Sequence, residues 1–222
     1  KAAIQELSSQ ILSQKFVIVN GKSGSGKSSL IHAGITPRLL RNNHLVIHVK
    51  EYLTSPLDTI QAAISSDLES SLVIFLDQFE RFFIYLPLEE RLRFTTALKG
   101  WLDDTTSKVR FVVAIRMDFF GRIGEFQKVI RDIYQQSAIF TLEPLNRDEA
   151  REAIEGPLEE MGIRIVYDDT LITVLLDRLL EDAEIEPAQL QIVCDELYRK
   201  AKEQNIKILK EDGIYQELGG VE

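Results

Sequence analysis

Cysteine is almost missing from this 222-residue chain: Cys194 stands alone, which excludes an intramolecular disulfide. Histidine is nearly as scarce, with His32, His44 and His48, and so few scattered ligands argue against a zinc site. No apolar run approaches the roughly 18 residues that a membrane span needs. No secretory leader is visible, and Lys1 already falls inside a helical pattern, so the sequence reads as a fragment of a longer protein. A reducing, cytoplasmic setting fits this composition most simply. Internal repeats and low-complexity tracts are also lacking.

Basic charge is in short supply, but unevenly. The chain has 26 Lys/Arg against 35 Asp/Glu, a net charge of −9. Residues 1–142 carry 17 basic and 14 acidic side chains, whereas residues 143–222 carry 9 and 21. The acidic final third argues against a nucleic-acid surface there, and solvated helical faces account for the excess. The change of sign suggests two parts, 1–143 and 144–222, joined near residues 143–147. With 45% hydrophobic and 27% charged residues, the rest is ordinary globular composition, enough for one α/β domain and a small appendage.

What is present is concentrated in residues 16–30. Phe16 to Val19 is a short β-branched and apolar run that predicts a buried strand. Gly21-x-x-x-x-Gly26-Lys27-Ser28 follows, a complete Walker A pattern, and Ser28 to Leu40 predicts a helix. A triphosphate needs many donors at close range. Gly24 and Gly26 let the backbone curl so that successive N–H groups point inward, and the helix start adds its positive dipole end. Lys27 supplies a cation for the β- and γ-phosphates, and the Ser28 hydroxyl suits Mg²⁺. The plain alternative is a glycine-rich turn that happens to precede a helix.

The segment Leu72-Val-Ile-Phe-Leu-Asp77-Gln-Phe-Glu80 predicts a central parallel strand covered on both faces. Asp77 would sit at its C-terminal end, where open α/β sheets bind ligands, and could hold Mg²⁺. Glu80 could polarise an attacking water, or be a surface glutamate near Arg81. Val109 to Ile115 predicts a further strand ending at Arg116, which would face the γ-phosphate edge or pair with Asp118. Other expected strands are Leu45 to Val49 and Ala138 to Leu142. Helices are expected over residues 2–14, 56–69, 88–102 and 123–136. Strands that alternate with helices imply a parallel sheet. His44 and His48 lie on or beside the second strand with no partner at ligand spacing, and are read as structural. After Pro144 the pattern is helical only. Asn146 caps one helix running to about Met161, Asp168 or Asp169 starts another, Pro187 opens a third and a last lies near 210–218. Cys194 is read as a small buried hydrophobe.

Several of these stretches together resemble the novel STAND NTPases of the nSTAND1 type. They are Gly21 to Leu30 with Ala33-Gly34-Ile35 and Pro37-Arg38-Leu39, Leu76 to Phe82, Ala114 to Phe119 with Gly121-Arg122, Glu186 to Gln191, and Leu218 to Val221. The resemblance covers nearly the whole chain. It implies an α/β, ASCE-type P-loop NTPase core with a five-stranded parallel sheet flanked by helices, followed by a small all-helical subdomain. It also implies an ATP- and ADP-binding, Mg²⁺-dependent switch in signal transduction, with weak ATPase activity. Gly21, Ser23, Gly24, Ser25, Gly26, Lys27, Ser28 and Ser29 would hold the nucleotide, Ser28 and Asp77 the metal. Asp77 would be the Walker B acid, Glu80 the second acid and Arg116 the sensor. Pro187 resembles a proline that reaches the nucleotide from the helical subdomain, although Glu186 stands where relatives often have glycine. The lead-in Phe-Gly-Arg segment of the family is absent. Self-association and partner proteins are expected through domains outside this segment. Two other readings stay open, a small-molecule phosphotransferase on the same core and a scaffold without hydrolysis.

Overall fold

The computed structural model describes residues 2–65, 70–160, 165–180 and 184–210. The chain divides into two compact units between Leu142 and Glu143.

In the first unit five strands form one parallel sheet: β1 (Phe16–Gly21), β2 (Leu45–Val49), β3 (Leu72–Leu76), β4 (Val109–Arg116) and β5 (Ala138–Thr141), in spatial order β2-β3-β4-β1-β5. β1 and β3 are buried along their whole length, as their unbroken apolar runs predict. The two-residue side-chain period sorts each strand between two cores. Phe16, Ile18, Ile74, Leu76, Phe111 and Val113 face one core, which is filled by Ile60, Phe82, Phe94 and Phe126 from the surrounding helices. Val17, Val19, Val73, Phe75, Val112 and Ala114 face the other, against Leu7, Ile11, Ile31, Ile35 and Leu39.

The covering helices differ in detail from the periodicity. Residues 27–41 are helical throughout, but Leu30–Ile35 takes π turns between α-helical Lys27–Ser29 and Thr36–Arg41. Pro37 has no N–H to give to the preceding turn, and the helix widens just ahead of it, with Thr36 N–H bonded to Ile31 O five residues back. The helix expected over 123–136 is instead a run of 3-10 turns over Met117–Lys128 and a short α-helix at Ile133–Gln136. Gly121 and Gly124 lower α propensity there. A helix at Glu80–Tyr85, which the sequence pattern misses, follows β3 directly. Helix Leu57–Ser65 covers the start of the expected 56–69 segment, and residues 66–69 lie outside the described ones.

The second unit has its own core, built on helices Arg147–Glu160, Asp169–Leu179 and Pro187–Glu203. Leu171, Ile172, Leu175, Leu176 and Leu179 are all buried, as their spacing predicts, whereas Ile192 is 70% exposed. Two short strands, β6 (Val166–Tyr167) and β7 (Ile208–Leu209), pair in parallel. Two-residue strands leave no periodic signal in a sequence. Cys194 is partly buried and packs against this core. Burial pushes its thiol up to about 11, partly offset by the Tyr167 side chain. Met161 and the helix expected near 210–218 lie outside the described residues.

Candidate functional site

The C-terminal edge of the sheet gathers the charged ends of β1, β3 and β4. At the end of β1, Gly24 and Gly26 adopt φ of 77° and 87°, a region costing an ordinary L-residue about 1–2 kcal/mol. Gly21 is required for a different reason. A Cβ there would lie 2.6 Å from Leu142 O and 2.7 Å from Ser25 Oγ, so the loop turns hard against the end of β5. Ser25 is buried, while Ser23 and Ser29 are exposed.

Lys27 opens the helix, and its Nζ donates to Gly21 O at 2.8 Å and Lys22 O at 2.7 Å. The ammonium thus lies over the mouth of the loop. Burial lowers its pKa below the ordinary lysine value; Glu80, Asp77 and Asp118 act against that, and Arg116 adds to it. Five residues from three separate stretches of the sequence therefore share one electrostatic neighbourhood.

Ser28 Oγ donates to Asp77 Oδ1 at 3.0 Å. Asp77 is 4% exposed and also accepts from Gln78 N at 2.9 Å. Its loop is firmly held. Asp77 N bonds to Val49 O at 2.8 Å and Phe79 N to Ala114 O at 2.9 Å, and Gln78 takes a left-handed φ of 52°. Phe79 is fully buried and stacks on Phe82 at 4.6 Å. An aromatic anchor thus sits between the two acids, and a carboxylate on such a support loses little entropy when it binds.

Glu80 begins the next helix, and its Oε2 accepts from Arg116 N at 3.3 Å. The second acid is therefore tied to the end of β4 rather than standing free beside Arg81. The Arg116 guanidinium forms a two-pronged pair with Asp118, at 3.1 Å and 2.8 Å, and lies over the Phe119 ring at 5.6 Å.

The donor set fits magnesium. A serine hydroxyl and a carboxylate, both hard oxygens, stand together at a helix start beside the glycine-bearing loop, and Mg²⁺ keeps its remaining positions for water and phosphate. Among the described residues no group of three or more His, Cys, Asp or Glu comes together as a metal cage. Ser28 and Asp77 would hold the ion, which would neutralise phosphate charge there.

Two histidines belong to this neighbourhood, though the sequence gives them no role. His32 Nε2 lies 3.7 Å from Asp77 Oδ2, and its ring stacks on His48 at 4.3 Å. Burial, then His32, lower the His48 pKa. The signal available in the sequence was the four-residue spacing of Ser28, His32 and Thr36. Pro187 opens helix Pro187–Glu203 within the second unit.

The family model described as Novel STAND NTPase 1 matches residues 1–222. No curated protein matches the chain. Among solved structures, it is similar to the ADP form of the ORC2 protein of Aeropyrum pernix, with TM-score 0.67 and 13% identity over 95% of this chain and 65% of that one. The ORC1 protein of the same organism, in complex with DNA, gives 0.66 and 14% over 97% and 63%. Domain III of the replication initiation protein DnaA of Thermotoga maritima gives 0.64 and 15% over 97% and 88%. These identities speak for the fold alone. The chain spans just under two thirds of the two ORC proteins.

Proposed function

Because the chain belongs to the novel STAND NTPase 1 family, we propose that it is a nucleotide-controlled switch that binds ATP and ADP with Mg²⁺ and hydrolyses ATP slowly. The observation that carries the reading is the Ser28–Asp77 hydrogen bond of 3.0 Å beside Lys27. It joins the Walker A helix to the acid at the end of β3. In this reading the loop from Gly21 to Ser29 cradles the phosphates, Lys27 neutralises the β- and γ-oxygens, and Ser28 and Asp77 take the metal. Glu80 is the base that orients and deprotonates the attacking water.

Arg116 is the γ-phosphate sensor. Its partner Asp118 is 56% exposed, and exposed pairs contribute only about 0–1 kcal/mol, so a γ-phosphate competes for the guanidinium at small cost. The Glu80 bond to Arg116 N gives a route by which that exchange reaches the base. The resemblance to the family gives Pro187 a further nucleotide contact. Differential affinity for ATP and ADP then biases the arrangement of the two units, with ADP favouring a closed state and ATP one that allows self-association in the whole protein.

The first test is a titration of ATP, ADP and GTP against the parent and Lys27→Ala. A lost charge-assisted contact of about 1.5–3 kcal/mol weakens binding roughly ten- to a hundredfold. Unchanged affinity in a folded variant removes the phosphate-loop reading. Glu80→Gln should keep nucleotide affinity and lower turnover by on the order of 10²-fold. Turnover at the parental rate leaves Glu80 a structural acid. For the switch, fluorescence transfer between the two units should differ between ADP and a non-hydrolysable ATP analogue. Equal distances would withdraw it.

A further inference from the structure

The helix that carries Lys27 and Ser28 presents a polar stripe of Ser28, His32 and Thr36, each four residues from the last and so on one face. Every member meets a group at the edge of β2 and β3. Ser28 Oγ donates to Asp77 Oδ1 at 3.0 Å. His32 Nε2 faces the other oxygen of the same carboxylate, Oδ2, at 3.7 Å. The Thr36 hydroxyl meets His48 Nε2 at 3.1 Å.

The His32 side chain is 48% exposed but not without partners. One of its faces stacks on His48, with centroids 4.3 Å apart. His48 in turn stacks on Phe75 at 5.0 Å and 11°. Phe75 is fully buried in β3 and paired in register with His48 of β2. Three rings thus run from β3, across the edge strand β2, to the helix. His32 also lies within the π turns of Leu30–Ile35, and such departures from α geometry recur at functional sites.

We propose that His32 is a positioning residue for the metal side of the nucleotide site, held by the Phe75–His48–His32 stack so that it fixes the plane of the Asp77 carboxylate. Ser28 and Gln78 N hold Oδ1 by hydrogen bonds, while the imidazole stands 3.7 Å from Oδ2, outside hydrogen-bond reach but close enough to limit how far that oxygen swings on its side. A carboxylate restrained in this way meets an incoming Mg²⁺ already aimed, and outer partners of metal ligands commonly set metal affinity. The inference rests on the nucleotide reading above and deepens its metal site.

The test measures the affinity of a fluorescent ADP while Mg²⁺ is varied, and again in EDTA. His32→Ala should raise the Mg²⁺ concentration for half-maximal effect by about ten- to a hundredfold, with affinity in EDTA unchanged. His32→Gln, whose amide can reach Oδ2, should recover part of that loss. His48→Ala should shift the Mg²⁺ midpoint in the same direction, and His48→Phe, which keeps a ring in the stack, should recover it. Circular dichroism establishes that each variant is folded. An unmoved Mg²⁺ midpoint in His32→Ala overturns the proposal, and so does a loss of equal size with and without Mg²⁺. A parent protein that binds no nucleotide, or a Lys27→Ala variant that binds as the parent does, overturns the nucleotide reading itself. Parental Mg²⁺ dependence in His32→Ala, with Lys27→Ala impaired, overturns only the role of His32.

Discussion

Two residues beside the phosphate loop act through space rather than through charge on a ligand. Gly21 closes the turn against Leu142 O, 2.6 Å from where a Cβ would sit. The obstacle is backbone, which cannot swing aside as a flexible side chain could. Gly21→Ala should therefore cost about 1–3 kcal/mol of overpacking, read as a lower urea midpoint, and should weaken nucleotide binding by displacing the loop. Parental stability together with parental affinity would mean that β5 yields without consequence. Asp118 is the second case. Its pair with Arg116 is exposed on both sides, at 42% and 56%. Removing the charge by Asp118→Asn should free the guanidinium and raise the ratio of ATP to ADP affinity by up to about fivefold. The ratio is the informative quantity because Asp118 also acts on Lys27, which either nucleotide would meet. An unchanged ratio would argue that Arg116 does not turn to a γ-phosphate.

Helix Arg147–Glu160 shows how one element is set by its first turn. Asn146 Oδ1 accepts from Asp148 N and Glu149 N, each at 3.0 Å, and Glu149 Oε2 accepts from Asn146 N at 3.0 Å. This is a reciprocal cap of the kind that satisfies otherwise unpaired N–H groups. The sequence shows it directly, as Asn146 with an acid three residues on. Asn146→Ala should cost about 1 kcal/mol in urea denaturation of the folded chain, and Asn146→Asp should recover most of it. An Asn146→Ala variant as stable as the parent would mean that water replaces the cap without loss. The Walker A helix is the opposite case. Its cap is Gly26, with no side-chain bond, and in the proposed reading a phosphate would take the place of a side-chain cap.

The whole molecule has separate cores for its two units, one spread over both faces of the sheet and one within the helices after Leu142. A ligand bound to the phosphate loop stabilises the state it binds. At about 100 times its Kd the gain is about 2.7 kcal/mol, or roughly 5–10 °C in the transition of a unit this size. Mg²⁺ with ADP should raise the melting transition of the first unit by that amount in calorimetry, and Lys27→Ala, binding roughly ten- to a hundredfold more weakly, should cut the shift to about half or less. If Mg²⁺ with ADP raises the transition of Lys27→Ala as far as that of the parent, the ligand is binding elsewhere.

Some of this was fixed by neighbours along the chain. Gly21 to Ser28 is one contiguous pattern, so loop and helix start could be read without a fold. The apolar runs of β1, β3 and β4 announce strands, and that of β3 one covered on both faces, because burial leaves no polar alternation. Asn146 and Pro187 marked helix starts because caps are local chemistry. The order of the sheet was not local. With β4 between β3 and β1, Arg116 enters the neighbourhood of Lys27, and no spacing within 27–116 encodes that. Arg116 pairs with Asp118 where β4 ends, one of the two alternatives that the sequence leaves open, and the sensor role stands beside it as a proposal. His48 has no partner at ligand spacing in the sequence, and its stack on His32 brings in a ring from a different element. The pairing of β6 with β7 likewise joins segments that are distant in the sequence. A side chain's type and its neighbours in sequence set what it can bond to. Which groups come within about 4 Å of it is set by chain closure over tens of residues, and only the packed cores decide that.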